Sequence, residues 1–187
     1  MPDLFPYQHT GARFLATAPT KGRLLADEPG LGKTAQAIAA AAELTKDIVH
    51  VMRPRLTVIC PASVVENWRR EFSRFWPKGR GFDLVLGSYD KAARGSVDSR
   101  DRIDVLILDE AHMLKTRTAK RTKAIFDPGG LAERADHVLL LTGTPTPNHP
   151  AELWPALHAL APETILGKNG KPLPYHAFVS KFCKTRD

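Results

Sequence analysis

The residues richest in chemical potential are Asp27-Glu28-Pro29-Gly30-Leu31-Gly32-Lys33-Thr34. Gly30 and Gly32 let the backbone curl, and Lys33 supplies a cation on a long arm. The stretch from Thr34 to Leu44 is rich in Ala, carries Gln36 and Glu43, contains no breaker, and predicts a helix that starts directly behind Gly32. A curled loop running into a helix N-terminus offers unpaired N–H groups to phosphate oxygens, with the lysine reaching the outermost ones. The strict phosphate-loop spacing asks for glycine six positions before the lysine; Asp27 stands there, so this is a variant. A glycine-rich turn with a solvated lysine is the plainer alternative.

A second group, Val105-Leu106-Ile107-Leu108-Asp109-Glu110-Ala111-His112, places two carboxylates at the end of an apolar run. In open α/β sheets ligands bind at the carboxyl edge. There Asp109 would hold Mg²⁺, directly or through water, Glu110 would position and activate an attacking water, and His112 would link the site to a neighbouring strand end. Alone, such a pair also fits a strand terminus followed by a helix cap. The third group is Leu141-Thr142-Gly143-Thr144-Pro145, where hydroxyls and a glycine backbone could read the state of a terminal phosphate, or simply form a turn.

These groups need strands and helices to carry them. Short apolar runs at Arg23–Ala26, Leu56–Cys60, Asp83–Leu86, Val105–Leu108 and Val138–Leu141 alternate with helical patterns, which predicts βαβ units around a parallel sheet buried on both faces. Ser63 and Glu66 have capping-box spacing ahead of a helix whose Val64, Val65, Trp68, Phe72, Phe75 and Trp76 share one face; Pro77 and Gly79 end it. Asp127-Pro128-Gly129-Gly130 marks a turn, and beyond Pro145 repeated prolines leave one short helical stretch, Glu152 to Leu160. The tail from 161 to 187 shows no obvious core of its own.

The 187 residues are 43% hydrophobic and 25% charged, which excludes a disordered or collagen-like chain and suits one domain. The longest uninterrupted apolar run, Ala37 to Ala42, is far short of a membrane span, and Met1 to Thr10 has no signal-peptide pattern, so an intracellular, soluble protein is expected. Two cysteines make no disulfide framework; Cys60 should be a buried thiol. Lys plus Arg is 27 against 20 Asp plus Glu, a net charge of +7. The basic residues cluster at Arg69, Arg70, Arg74, Lys78 and Arg80, and at Lys115, Arg117, Lys120, Arg121 and Lys123. A polyanionic partner and a solvated helix face both fit that pattern.

Taken together, six ordered blocks resemble the first RecA-like lobe of the superfamily-two helicase ATPases, within them the Swi/Snf-type translocases of double-stranded DNA. The blocks are Phe5 to Gln8, Asp27 to Thr34, Cys60 to Ser63 with Asn67-Trp68, Gly87-Ser88-Tyr89, Asp109 to His112 with Leu114-Lys115, and Leu141 to Pro145 with Asn148 and Glu152 to Trp154. The resemblance implies an α/β, three-layer P-loop NTPase domain with a mainly parallel central sheet over residues 1–160, and a tail, 161–187, that starts a helical extension toward a second lobe. It implies ATP and Mg²⁺ as cofactors. Gln8 would contact the adenine; Asp27, Gly30, Leu31, Gly32, Lys33 and Thr34 would surround the phosphates, with Thr34 and Asp109 on the metal; Lys33, Asp109, Glu110 and His112 would serve catalysis. Ser63, Ser88, Tyr89, Lys115, Thr142 and Thr144 would touch DNA or couple it to the nucleotide.

The chain departs from the family pattern at Pro29, Gly87 and Thr116, where methionine, threonine and asparagine are usual, and the residues after Trp154 cannot hold the second lobe with its arginine. The resemblance therefore implies an ATP-binding lobe that hydrolyses slowly alone and acts with duplex DNA when complete. An RNA helicase lobe shares the phosphate and Asp-Glu-x-His blocks, and a non-catalytic nucleic-acid-binding module would keep the fold without turnover. Asn67-Trp68, Leu114-Lys115 and the Asn148 to Trp154 stretch favour DNA.

Overall fold

A computed structural model of the chain describes residues 4–48, 51–97 and 102–183; positions 184–187, the end of the predicted tail, lie outside the described residues. Helix α1 (Pro6–Thr17) precedes strand β1 (Gly22–Leu25), α2 (Lys33–Leu44), β2 (Arg55–Cys60), α3 (Val65–Phe75), β3 (Asp83–Ser88) and α4 (Tyr89–Ala93). Then come β4 (Ile103–Asp109), α5 (Lys120–Phe126), α6 (Leu131–Arg134), β5 (Ala135–Leu141), α7 (Trp154–Leu160) and α8 (Tyr175–Phe182). The strands form one sheet in the order β1-β5-β4-β2-β3, and every pairing is parallel. This is the doubly covered α/β sheet that the alternation predicts. Among the described residues no helix is long and apolar enough to cross a membrane.

Side chains alternate between two cores because strand neighbours point to opposite faces. On β4, Val105 and Ile107 join Leu139 and Leu141 of β5 beneath α2 and α3, while Leu106 and Leu108 join Val138 and Leu140 beneath α4, α5 and α6. Two strands start earlier than their apolar runs suggest: β4 at Ile103 and β5 at Ala135. The start of β4 hides a polar residue. Asp104, 2% exposed, accepts from the backbone N–H of Arg55 at 2.6 Å and lies 3.4 Å from Arg102, so a buried carboxylate is satisfied inside the strand and interrupts the hydrophobic pattern.

The predicted capping box at Ser63 does not form. After Pro61 the chain turns through a 3-10 helix, Ala62–Val64, so α3 starts at Val65 with no side-chain cap, and Glu66 pairs with Arg69 at 3.4 Å instead. The rest of that helix follows its apolar spacing, with Trp68 and Phe72 buried. Residues beyond α7 pack back onto it: Ile165 and Phe178 are buried, Trp154 Nε1 donates to the Leu173 carbonyl at 2.9 Å, and Tyr175 meets the Trp154 ring edge-on.

Phe72, 1% exposed, touches the Trp68, Trp76 and Phe82 rings at centroid distances of 6.1, 6.1 and 5.7 Å. Phe72→Ala is expected to cost about 3–5 kcal/mol, read as a lower denaturant midpoint with an unchanged slope.

Candidate functional site

Register fixes which strand ends meet. Leu25 of β1 pairs with Leu141 of β5, and Leu141 pairs with Asp109 of β4, so the segments leaving these three strands emerge side by side at the carboxyl edge. The loop after β1 curls through Gly30 (φ 87°) and Gly32 (φ 70°), and α2 begins at Lys33. A side chain at Gly32 would also run into Gln8 Nε2, which makes glycine the fitting residue there on two counts. The Lys33 ammonium donates to the carbonyls of Asp27 at 2.7 Å and Glu28 at 3.0 Å, so the loop is wrapped around it.

Two buried glutamines fasten the loop from behind. Gln36, fully buried, donates to Asp27 Oδ2 at 3.0 Å and to the Leu31 carbonyl at 3.1 Å. Gln8 donates to the same carbonyl at 3.3 Å and accepts from the Phe5 N–H at 3.0 Å. Gln36 lies outside the predicted site residues; its signal in the sequence is a lone amide on the apolar face of an alanine-rich helix. Asp27, in turn, offers its carboxylate to Gln36 and only its carbonyl to Lys33.

Asp109 sits at the end of β4 with a donor on each oxygen: Trp68 Nε1 on Oδ2 at 2.8 Å and the Glu110 N–H on Oδ1 at 3.0 Å. Burial pushes its pKa above the usual carboxylate value, and the adjacent Glu110 charge adds to this; the Trp68 and Glu110 N–H groups and the nearby Lys33 charge pull the other way. Glu110 is the one non-glycine residue with positive φ (51°) among the described residues, a strained backbone that turns its side chain away from the strand. Its Oε2 lies 3.1 Å from His112 Nδ1, which is also 3.0 Å from Thr142 Oγ1, and Thr142 Oγ1 accepts from the Thr144 N–H at 3.1 Å. A polar chain thus runs from the end of β4 to the segment leaving β5. Gly143 completes the approach, since a Cβ there would lie 2.9 Å from Pro29 Cδ in the loop after β1.

The sequence-predicted DNA contacts divide. Ser63 and Thr144 are exposed, and Lys115, half-buried, lies 3.3 Å from Glu152. Burial alone would raise the Glu152 pKa, but the Asn148 and Lys115 partners outweigh it and hold that pKa below the usual value. The other three face inward. Tyr89 is 2% exposed with its hydroxyl donated to the Asp109 carbonyl at 2.7 Å; Ser88 is buried and accepts from the Lys91 N–H at 3.3 Å as the cap of α4; Thr142, 1% exposed, is used up by His112 and Thr144. Ser88 and Thr142, short polar side chains at the strand ends, spend their hydroxyls on local backbone N–H groups.

The donor set fits a nucleotide with a divalent cation. Asp109 is a partly buried carboxylate whose charge is disfavoured where it stands, which a bound cation would correct, and Thr34 offers a hydroxyl from the first turn of α2 beside Lys33.

Known proteins resemble this chain in sequence and in fold. The SNF2-related domain family matches residues 7–88 and 78–170. Protein CHROMATIN REMODELING 19 of Arabidopsis thaliana is 34% identical over 90% of this chain, and Helicase SWR1 of Saccharomyces cerevisiae is 34% identical over 96% of it. The chain spans 26% and 13% of those two relatives, about a quarter of their length or less. The SWI2/SNF2 ATPase core of Sulfolobus solfataricus in complex with dsDNA superposes with a TM-score of 0.73 at 29% identity, covering 96% of this chain and 39% of that one. With its fold and most of its length matched, this chain belongs to the SNF2-related domain family.

Proposed function

We propose that the chain is the ATP-binding lobe of a DNA-dependent ATPase that translocates on, or remodels, double-stranded DNA. The observation that carries this reading is the shared carboxyl edge: the loop around Lys33 and the carboxylate of Asp109 leave strands separated only by β5, and the Lys33 charge is felt at Asp109. Gly30, Gly32 and the first N–H groups of α2 cradle the phosphates, Lys33 reaches the outer ones, and Thr34 and Asp109 hold Mg²⁺. A metal held there would supply neutralisation of the phosphate charge. Glu110, swung out by its left-handed backbone and held by His112, positions a water. Gln8, which fastens the loop through the Leu31 carbonyl, would contact the adenine.

Duplex DNA is the proposed partner because the superposed SWI2/SNF2 core is in complex with dsDNA and because Ser63, Thr144 and the basic segments of α3 and α5 are exposed on this chain. The relatives are several-fold longer, which supports a second RecA-like lobe as the other partner. An arginine supplied from such a lobe is typically worth about 10³ to 10⁵ in rate, so the 187-residue chain on its own should bind ATP–Mg²⁺ and turn it over slowly.

Two outcomes are expected. ATP–Mg²⁺ at about 100 times its Kd should stabilise the folded chain by about 2.7 kcal/mol, seen as a raised Tm, and Lys33→Ala should abolish that gain, read against the variant's own ligand-free Tm; a turnover of about 1 per second or more that Lys33→Ala abolishes would contradict the slow-hydrolysis expectation. Binding to duplexes of unrelated sequence should be equal within error and should weaken by orders of magnitude between about 50 and 200 mM salt, measured by fluorescence anisotropy. Salt-independent affinity would exclude a phosphate-backbone interface.

A further inference from the structure

Asp109 is tied down by three donors from three segments: the Glu110 N–H, the Tyr89 hydroxyl on its carbonyl, and the indole Nε1–H of Trp68 on Oδ2 at 2.8 Å. The third comes from a residue with no part in the chemistry described so far. Trp68 is 1% exposed and belongs to the core beneath α3. Filling that core does not require an indole. A buried indole N–H must nevertheless find an acceptor, and here the acceptor is a carboxylate, which makes the bond charge-assisted and roughly twice as strong as a neutral one.

The aim of that N–H is set by aromatic packing. Trp68 leans on Phe72 at 6.1 Å, Phe72 on Trp76 at 6.1 Å and on Phe82 at 5.7 Å, and Trp76 on Phe82 at 4.8 Å. This ladder fixes the plane of the Trp68 ring and leaves the indole little freedom to turn from Asp109. Trp76, in the same ladder and 6% exposed, gives its own N–H to the Arg80 carbonyl at 2.9 Å, a local task at the end of α3.

We propose that Trp68 is a positioning residue for the metal carboxylate: its N–H pins Oδ2 so that the remaining lone pairs of Asp109 are presented to the Mg²⁺ that accompanies the nucleotide. This rests on the nucleotide reading above. Groups that orient a metal ligand from behind typically matter 10- to 100-fold in metal affinity.

The test is the Mg²⁺ dependence of binding of a fluorescent N-methylanthraniloyl ATP to the wild-type chain, Trp68→Phe and Trp76→Phe. Trp68→Phe should need about 10-fold more Mg²⁺ for half-saturation while its metal-free nucleotide affinity stays at the wild-type value. Trp76→Phe, which loses the same N–H and the same ring area from the same ladder, should keep the wild-type Mg²⁺ curve. Identical curves for wild type and Trp68→Phe, or equal shifts in both variants, would overturn the inference while leaving the nucleotide reading intact. A wild-type chain that takes up no nucleotide would overturn both. Should Trp68→Phe fail to fold, the Trp76→Phe/Trp154→Phe double variant leaves Trp68 as the sole indole; its emission should change when Mg²⁺ is added to the ATP-saturated protein, and unchanged emission would overturn the inference.

Discussion

Parallel pairing of five strands is the constraint on which the rest of the molecule depends. It sends every carboxyl end to one edge, and the order β1-β5-β4-β2-β3 then decides which ends are neighbours. The loop holding Lys33 and the acidic pair are 76 residues apart in sequence (33 to 109) yet leave strands with only β5 between them. The segment leaving β5 is therefore forced between them, which is why Gly143 must pass Pro29 without a side chain and why Thr142 can meet His112. Sheet registers of this kind are set by burial on both faces: slipping a strand by one residue would swap Val105 and Ile107 with Leu106 and Leu108 between two differently shaped cores.

Much of this was legible in the sequence. The inner strands β2, β4 and β5 showed as runs of Val, Ile and Leu because both faces are covered, and the loop before α2 showed because glycine, lysine and an alanine-rich helix occur in a fixed order. What was hidden were polar groups whose partners are distant in sequence. Asp104 interrupts the apolar pattern of β4 but is satisfied by Arg55 from the next strand, and Tyr89, which the family blocks suggest as a DNA contact, gives its hydroxyl to the Asp109 carbonyl. Ser63 shows the opposite error. Its spacing to Glu66 is right for a cap, but Pro61 sends the chain into a tighter turn first, and a local signal lost to the geometry of leaving a strand.

The choice of partners at the site also separates what is stabilising from what is held in reserve. Lys33 is bonded to two neutral carbonyls and Asp27 to a neutral amide, so neither charge is cancelled by the other although both lie in one loop. Had Lys33 paired with the Asp27 carboxylate, a phosphate would have to break an ion pair to enter. Neutral partners fix the geometry and leave the field of the lysine directed outward, which is the arrangement that preorganised electrostatics requires. The same reasoning covers Asp109, where uncharged N–H groups orient a carboxylate without neutralising it. The cost is carried at one backbone position, Glu110, and the fully buried strands on either side are what make that strain tolerable.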